Sequence, residues 1–253
     1  MKKNVVFLTG AGLSKESGID TFRDAVNGRW KMFNIHEVCT YSAWQKDPST
    51  VQDFYNLRRI EVLNANPNKA HFDLANFQKY HSDEFNITHV TQNVDDLLER
   101  AGATNVIHVH GELLKARSSD PIYDWMGLSD KEYVNNPKLY DVGYEGLNIY
   151  KNVDAKGFPL RPHVVLFGEQ LIRYNEAVEA IEQADYLVVI GTSLVVHPVA
   201  AFPHLTKDEC KLYYVDPTND FDVNDWVNPT IHIKETATTG VDIVLDEILF
   251  DVI

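Results

Sequence analysis

The sequence predicts an α/β fold in which a parallel sheet carries helices on both faces and a smaller domain is inserted into the chain. Apolar, β-rich runs alternate with segments of helical periodicity, a pattern typical of parallel sheets. The first of these runs ends in Gly10-Ala11-Gly12, a glycine spacing typical of a strand-to-helix turn. In contrast, residues 112–160 are polar and aromatic with weak periodicity, which favours an insertion over a continuation of the sheet.

The periodicity assigns the individual elements. The predicted strands are 4–9, 87–92, 105–110, 163–167, 186–191 and 212–216. The predicted helices are 49–63, 93–101 and 175–184. Ser49, followed by Gln52 three positions later, has the pattern of a helix N-cap, and Gly102 is a suitable stop for the second helix.

Composition restricts the class of protein. A chain of 253 residues is long enough to bury a full core. The net charge of −14 argues against direct binding of a nucleic-acid backbone. No apolar run reaches the roughly 20 residues of a membrane span and no signal peptide precedes the first strand, so we expect no membrane association. With only Cys39 and Cys210, a reducing, cytoplasmic setting is expected.

The first turn alone leaves two interpretations open. Glycines at this point let a backbone approach a pyrophosphate, whose charge the following helix N-terminus stabilises. However, Lys15 stands where the dinucleotide fingerprint has its third glycine, and no acidic residue closes a strand about 20 residues on. A turn without a ligand explains this stretch equally well.

Polar segments follow several further predicted strands, where open α/β sheets place their ligands. They are Thr91-Gln92-Asn93-Val94-Asp95, His108-Val109-His110-Gly111, Phe167-Gly168-Glu169, Gly191-Thr192-Ser193 and Val215-Asp216-Pro217. Any one of them is explained by a polar turn or a helix cap, as Asn93 is a good N-cap residue. Together, at one edge of a sheet, they predict a ligand site.

Taken in order, these segments resemble the sirtuin family of NAD-dependent protein deacylases. The matching pieces are Gly10-Ala11-Gly12-Leu13-Ser14, Ser17-Gly18-Ile19-Asp20-Thr21-Phe22-Arg23, Thr91-Gln92-Asn93-Val94-Asp95, His110-Gly111, Arg161-Pro162-His163-Val164-Val165-Leu166-Phe167-Gly168-Glu169 and Gly191-Thr192-Ser193-Leu194-Val195-Val196-His197-Pro198. The resemblance extends from about residue 4 to 245 and keeps the family's order and spacing.

The resemblance implies cleavage of the nicotinamide–ribose bond of NAD and transfer of the acyl group of an acyl-lysine protein or peptide to the ribose. The products are free lysine, nicotinamide and 2′-O-acyl-ADP-ribose. His110 matches the catalytic base, a role that suits an imidazole because its ordinary pKa lies near neutral pH. A buried structural histidine is the alternative. A metal pair with His108 is disfavoured because it needs further ligands, so no metal is predicted.

The remaining site residues follow from the same resemblance. Asn93 and Asp95 match catalytic residues that orient the nicotinamide ribose and its leaving group. The cofactor-binding residues implied are Gly10, Ala11, Gly12, Ser14, Ile19, Thr21, Phe22, Arg23, Gln92, Asn93, Val94, Asp95, Gly191, Thr192, Ser193, Asp216 and Ala237. Residues 24–30 resemble the mobile loop that covers the cofactor.

The sequence departs from the family pattern at two places. Asp216 stands where the family usually has Asn, and its charge should repel a 2′-phosphate, so we expect NAD to be preferred over NADP. The family's insertion normally holds zinc on four cysteines, whereas residues 112–160 contain no Cys. We therefore expect a zinc-free small domain held by aromatic packing, through residues such as Tyr123, Trp125, Tyr133, Tyr140, Tyr144 and Tyr150.

Tyr55 and Arg58 lie three residues apart on the helix predicted over 49–63. A phenol beside a guanidinium is a suitable receptor for a carboxylate, and the pair matches the class III sirtuin branch that removes succinyl and malonyl groups. An ordinary surface helix is the alternative, and Arg59 is expected to point elsewhere. The other substrate-binding residues implied are Val165, Phe167, Gly168, Glu169 and Val195, whose backbones should pair with the acyl-lysine as an added strand.

These observations predict one sirtuin-type catalytic domain over 1–253. Its Rossmann-like part is expected over about 1–30, 71–111 and 160–253, and its small domain over 31–70 and 112–159, with NAD and acyl-lysine in the cleft. Two other functions stay open: an NAD glycohydrolase or ADP-ribosyltransferase on the same fold, and a non-catalytic NAD-sensing or peptide-binding module. The oligomeric state stays unknown.

Overall fold

A computed structural model describes residues 2–21, 35–120, 138–218, 226 and 228–251. Its strands are β1 (Lys3–Thr9), β2 (Phe85–Thr91), β3 (Val106–His108), β4 (Gly111–Ser118), β5 (Tyr140–Asp141), β6 (Leu160–Val164), β7 (Tyr186–Ile190), β8 (Lys211–Val215) and β9 (Thr230–Ile233). Its helices are α1 (Ala11–Lys15), α2 (Ile35–Val38), α3 (Tyr41–Lys46), α4 (Pro48–Asn64), α5 (Lys69–Tyr80), α6 (Leu97–Ala101), α7 (Tyr174–Glu182) and α8 (Ala237–Phe250), with a 3₁₀ helix over Val199–Leu205.

Six parallel strands form the main sheet, in the order β3-β2-β1-β7-β8-β9. Leu74 of α5 and Val241 of α8 belong to one hydrophobic cluster beside the sheet. Ile181 of α7 and Phe202 of the 3₁₀ helix belong to a second cluster. Alternate residues of the central strands divide between these clusters, since Val188 lies in the first and Val189 in the second. The predicted α/β class with a parallel sheet is confirmed.

The prediction that residues 163–167 form a strand of this sheet is wrong. The strand there is Leu160–Val164, and it pairs antiparallel with β4 in a separate three-stranded sheet of order β5-β4-β6. Sequence periodicity indicates a strand but not its partner, so an apolar run cannot report which sheet it joins. Three of the described strands were not predicted: β4, whose sequence mixes polar and apolar residues, the two-residue strand β5 and the four-residue edge strand β9.

The predicted helix starts differ from the observed ones, by one residue for α4 and α7 and by four for α6. The helix predicted over 49–63 begins at Pro48, and Asp47 rather than Ser49 caps it by accepting a hydrogen bond from the Thr50 N–H at 3.1 Å. The helix predicted from Asn93 begins at Leu97. Asn93 does not cap this helix, and its side chain enters a hydrogen-bond network described below. Gly102 ends the helix in the left-handed conformation as predicted, with φ of 106°.

The helices α2, α3 and α4 pack with β4 and β6 around a third cluster, which contains Trp44, Phe54 and Leu113. Next to it, Ala116, Val142, Leu147 and Leu160 form a small aliphatic cluster. The prediction that aromatic packing supports this region is therefore wrong for Tyr144 and Tyr150. Tyr150 is 82% exposed and Tyr144 is 61% exposed, whereas Tyr140 packs against the aliphatic cluster.

Tyr123, Trp125 and Tyr133 lie outside the described residues. No helix within the described ranges is both long and apolar enough to span a membrane. Across the same ranges, no group of three His, Cys, Asp or Glu side chains is arranged to hold a metal ion.

Candidate functional site

The strand order places a crevice between β1 and β7. From β1 the chain moves to β2 and β3 on one side, and β7 then begins the other half of the sheet on the opposite side. Such a reversal is the topological switch point at which open parallel sheets bind ligands, outside the carboxyl ends of the strands. The turns Gly10–Gly12 and Gly191–Ser193 follow these two strands and therefore lie at this point.

The glycines of the two turns pack directly against each other. The Gly12 N–H donates to the Gly191 carbonyl at 2.8 Å. A Cβ atom added to Gly10 would lie 2.5 Å from Cβ of Thr192, and one added to Gly12 would lie 2.6 Å from Cα of Gly191. Gly191 also has a φ of 61°, which favours glycine. The absence of side chains thus lets the two backbone turns come into direct contact.

A buried network of polar side chains lies beside these turns. The Asn93 amide donates to the Gly10 carbonyl at 3.0 Å and to the Ser14 hydroxyl at 3.1 Å. The Ser14 hydroxyl in turn donates to the Asp95 carboxylate at 2.9 Å. Burial raises the pKa of Asp95, and the hydrogen bonds from the Leu97 N–H and from Ser14 act in the opposite direction. The structure therefore brings together three predicted site residues from two separate motifs.

His71 of α5 completes this network. Its Nδ1 accepts the Asn68 N–H at 3.2 Å, so its Nε2 carries the proton and donates to the Ser14 hydroxyl at 3.4 Å. Burial lowers the pKa of His71 to about 4, which keeps the ring neutral. Ser14 thus accepts from Asn93 and His71 while it donates to Asp95, so its hydroxyl orientation is determined.

His110 follows β3 and is partly exposed. Its Nδ1 lies 3.0 Å from the Gln92 carbonyl, which can only accept, so Nδ1 carries the proton and Nε2 the lone pair. Burial lowers the pKa of His110, against a smaller opposite effect of the Gln92 hydrogen bond. The ring is therefore neutral at pH 7 with Nε2 available as a base.

His108 has a structural role. Its Nδ1 donates to the Asn93 carbonyl at 3.0 Å, and its Nε2 lies 2.7 Å from the Glu99 carboxylate. Burial disfavours the charged ring, but the hydrogen bond and charge of Glu99 outweigh it and raise the pKa of His108. Both ring nitrogens of His108 are therefore engaged in hydrogen bonds within the protein.

The second turn is connected to the first by Gln92. The Gln92 amide donates to the Thr192 hydroxyl at 2.9 Å, and the Gln92 N–H donates to the Thr9 carbonyl at 2.9 Å. Thr192 also accepts the Leu194 N–H at 3.2 Å. The motifs after β1, β2 and β7 thus meet in one place, as the sequence predicted for the ends of parallel strands.

Asp216 and Ala237 lie at the ends of β8 and β9, further along the same edge. The Asp216 carboxylate accepts the N–H and hydroxyl of Thr218 at 2.9 and 2.7 Å, an arrangement that holds a turn. Ala237 is the first residue of α8 and is buried. The Glu16 carboxylate accepts the Thr238 N–H at 3.1 Å, so it serves the exposed donors at the start of this helix.

Tyr55 and Arg58 differ in their surroundings. Tyr55 is buried and its hydroxyl shares a hydrogen bond with the Cys39 thiol, while burial raises the Tyr55 pKa well above its ordinary value. Arg58 forms an ion pair with Glu61 one helical turn later. Arg59 points elsewhere, as predicted: it is fully buried and donates to the Leu113 carbonyl at 3.1 Å.

The segment Val165–Glu169 pairs with the chain between α2 and α3. The Phe167 N–H donates to the Cys39 carbonyl at 2.8 Å, and the Phe167 carbonyl accepts the Tyr41 N–H at 3.0 Å. Both backbone groups of Phe167 are thus already paired, so an added strand must pair through its neighbours. The Glu169 carboxylate is buried in ion pairs with Arg161 and Arg117, which indicates a structural role for this side chain. Phe167 and Val195 are 50% and 70% exposed.

The other predicted site residues fall into two groups. Ile19 is buried in the cluster of the small domain, and Val94 packs against that cluster while its carbonyl accepts the Leu113 N–H at 2.8 Å. Ala11, Thr21, Gly168 and Ser193 are partly or fully exposed. Phe22, Arg23 and the loop 24–30 lie outside the described residues.

The sequence interpretation missed His71, Glu99, Cys39 and Glu61. Two of them carry a local signal, since Asn68 with His71 three positions later has the spacing of a capping box and Arg58 with Glu61 has the spacing of a helical ion pair. Cys39 and Glu99 reach their partners only through the fold.

Known proteins match this architecture closely. The model of the Sir2 family matches residues 10–198. An NAD-dependent protein deacylase of Bacteroides thetaiotaomicron is 39% identical over 241 residues, covering 95% of each chain. One of Helicobacter pylori is 43% identical over 219 residues, covering 85% of this chain and 83% of its own.

A solved structure of a Sir2 homologue in complex with NAD has a TM-score of 0.80 and 32% identity, and the match covers 98% of this chain and 90% of that one. The family match spans well over half of the sequence, and it includes both glycine turns, Asn93, Asp95 and His110. The chain belongs to the Sir2 family.

Proposed function

We propose that this chain is an NAD-dependent lysine deacylase that removes succinyl and malonyl groups, and acetyl groups more weakly, from protein lysines. Nicotinamide and 2′-O-acyl-ADP-ribose are the other products. The observation that carries the proposal is the partly exposed His110, whose Nδ1 proton is engaged by the Gln92 carbonyl. This arrangement presents a neutral Nε2 beside the strand-end turns, as a general base requires.

The relatives support the general reaction. Curated relatives from Bacteroides thetaiotaomicron and Helicobacter pylori are both named NAD-dependent protein deacylases. A mutant Sir2 homologue that is 31% identical, with a TM-score of 0.78, was solved as a complex with 2′-O-acetyl ADP ribose. These names agree with an acyl transfer to ADP-ribose.

The switch point between β1 and β7 is the position proposed for NAD. Gly10, Gly12 and Gly191 carry no side chains where the two turns meet, so a pyrophosphate can approach the backbone closely there. The Ser14 hydroxyl and the Asn93 amide are engaged in their own network, which fixes the turn beside which the ribose would lie. When bound, NAD supplies the ADP-ribose that accepts the acyl group as nicotinamide leaves.

The chain's own groups perform the remaining tasks. His110 Nε2 takes the proton of a ribose hydroxyl, while its Nδ1 hydrogen bond holds the ring in place. His108, itself hydrogen-bonded to Glu99, holds the Asn93 carbonyl. Ser14, which is oriented by His71, holds the other side of the segment that follows β2. Asn93 and Asp95 are thereby positioned before substrate arrives, which reduces the entropy lost in reaching the transition state.

The preference for acidic acyl groups is based on Arg58. Its side chain is only 11% exposed, so a carboxylate that reaches it binds out of contact with most of the solvent, where a charged hydrogen bond is strong. Tyr55, three residues earlier, interacts electrostatically with it. Acetyl-lysine has no carboxylate to offer to this group.

A zinc-free small domain is the second part of the proposal. The sequence 112–160 has no Cys, and Ser118 donates to Asp154 at 2.7 Å while Lys156 pairs with Asp120. Hydrogen bonds and ion pairs join these segments, and none of their groups is a thiolate. Elemental analysis of the purified protein should find well under one zinc per chain, and stoichiometric zinc would contradict this part.

Mass spectrometry of succinyl-, malonyl- and acetyl-lysine peptides tests the function, each peptide being incubated with and without NAD. We expect NAD-dependent deacylation that is fastest for succinyl-lysine and lost in His110→Tyr. Arg58→Met should remove the preference for succinyl-lysine while deacetylation is largely retained.

Other outcomes separate the alternatives. Consumption of NAD while every peptide stays acylated would instead favour an NAD glycohydrolase or ADP-ribosyltransferase. Binding of NAD without any turnover would favour a sensing or peptide-binding module. If Arg58→Met keeps the acyl preference of wild type, only the role proposed for Arg58 is contradicted.

A further inference from the structure

A glutamate of this chain already binds the guanidinium of Arg58, the group proposed to select acidic acyl groups. Glu61 lies one turn after Arg58 on α4, and its carboxylate forms an ion pair with the Arg58 Nη1. The Glu61 side chain is 27% exposed and that of Arg58 is 11% exposed. The pair therefore lies at the border of the protein interior, where it is only partly screened by water.

The electrostatic surroundings of Arg58 increase the importance of this pair. Asp20 also interacts electrostatically with Arg58, in addition to Glu61. Two carboxylates thus interact with this guanidinium, and Glu61 is in direct contact with it. Succinyl- or malonyl-lysine brings a third carboxylate. To bind Arg58, this carboxylate must either displace one of the two already present or share the guanidinium with them, at a cost in like-charge repulsion.

We propose that Glu61 is a specificity-determining residue that competes with the acyl carboxylate for Arg58. The inference rests on the proposed role of Arg58 in acyl recognition. Glu61 is bound to the guanidinium when no acidic acyl group is present, and it must release Nη1 for one to bind. It thereby weakens the selection of acidic over neutral acyl groups, because acetyl-lysine has no carboxylate that competes with it.

The position of Glu61 makes displacement feasible. Partial exposure allows its side chain to rotate into water, whereas the buried Tyr55 beside Arg58 is held by its hydrogen bond to the Cys39 thiol. Acyl binding thus exchanges one carboxylate for another on the same guanidinium. An exchange of this kind affects the binding of acidic substrates and leaves the chemistry at His110 unchanged.

Steady-state kinetics of Glu61→Gln with succinyl- and acetyl-lysine peptides at saturating NAD tests the inference. We expect KM for the succinyl peptide to fall roughly 5-fold, with kcat little changed and the acetyl parameters unchanged. Glu61→Ala, which removes the hydrogen bond as well as the charge, should behave in the same way. Asp53→Asn is the matched control, since it removes one negative charge from an exposed position of the same helix.

Arg58→Met, measured in parallel, separates this inference from the proposed function. One outcome refutes competition by Glu61 and leaves acyl recognition by Arg58 standing. In that outcome wild type prefers succinyl-lysine and Arg58→Met loses this preference, but Glu61→Gln leaves the succinyl KM unchanged or raises it. If neither wild type nor Glu61→Gln prefers succinyl-lysine and Arg58→Met changes nothing, both proposals fall. An equal fall of KM in Asp53→Asn would assign the effect to overall charge and also refute the inference.

Discussion

His89 should make the protein less stable in mild acid, and replacing it with Phe should remove that effect. His89 lies in β2, is fully buried and stacks on Phe7 with a centroid distance of 5.4 Å and an interplanar angle of 20°. Neither of its ring nitrogens has a hydrogen-bond partner within the described part of the chain. Burial lowers the pKa of His89 to about 4, so the native state holds the ring neutral.

The size of the effect follows from this shift. An unfolded histidine takes up a proton below about pH 6.5, whereas the native His89 resists protonation until about pH 4. Because the unfolded state binds more protons in this window, stability decreases as the pH falls from 6.5 to 4. The loss is about 2 kcal/mol at pH 5 and about 3 kcal/mol below pH 4, from 1.4 kcal/mol per unit of pKa difference.

Urea unfolding followed by circular dichroism measures this loss. His89→Phe keeps the stacked ring and removes both the titration and the unpaired polar atoms, so it should be more stable than wild type at pH 7. Its advantage in free energy of unfolding should increase by about 2 kcal/mol between pH 7 and pH 5. His204→Gln, at an exposed position, is the control and should follow wild type at both values.

An advantage of His89→Phe that is the same at pH 7 and pH 5 would refute the reasoning, since it would mean that native His89 titrates normally. His71, whose pKa burial lowers to about 4 as well, stays in both proteins. Its contribution therefore cancels in the comparison.

Two further predictions concern the site. Because burial lowers the pKa of His110, the ring stays neutral to a lower pH than a free histidine. The acid limb of kcat/KM for deacylation should therefore have its midpoint below about pH 6.5. A midpoint above that value would contradict the assignment of this limb to His110. The Asp216 carboxylate should repel a 2′-phosphate, so wild type should bind NADP roughly tenfold or more weakly than NAD, and Asp216→Asn should narrow the gap. Isothermal titration calorimetry of both nucleotides checks this, and comparable dissociation constants in wild type would refute it.

The polar strand ends are the part of the site that sequence reasoning located well. The turns of Gly10–Gly12, Gln92–Asp95 and Gly191–Ser193 are joined by the hydrogen bonds of Gln92 and Asn93. This was predictable because the carboxyl ends of neighbouring parallel strands must lie at one edge of the sheet. The orientation of each side chain was not predictable, since Asn93 fits an N-cap on local grounds and instead binds Ser14.

Helix α4 shows the limit of local patterns. Helical spacing correctly separates Arg58 from Arg59, which is buried against β4. Spacing also allows the pairing of Arg58 with Glu61, although a three-residue interval does not decide whether a pair forms. The contact of Tyr55 with Cys39 joins α4 to the chain just before α3, and only packing of the small domain creates it.

The sequence by itself determined the α/β class and the strand-end motifs, because periodicity and turn chemistry are local properties of the chain. The choice of His110 as candidate base came from the resemblance of these motifs to the sirtuin family. The tertiary structure alone decided that Leu160–Val164 joins β4 rather than the main sheet, that His71 orients Ser14 and that Glu99 holds His108. These contacts depend on which elements pack together, and free energies summed over the whole core settle that choice. A run of residues read in isolation carries no such information.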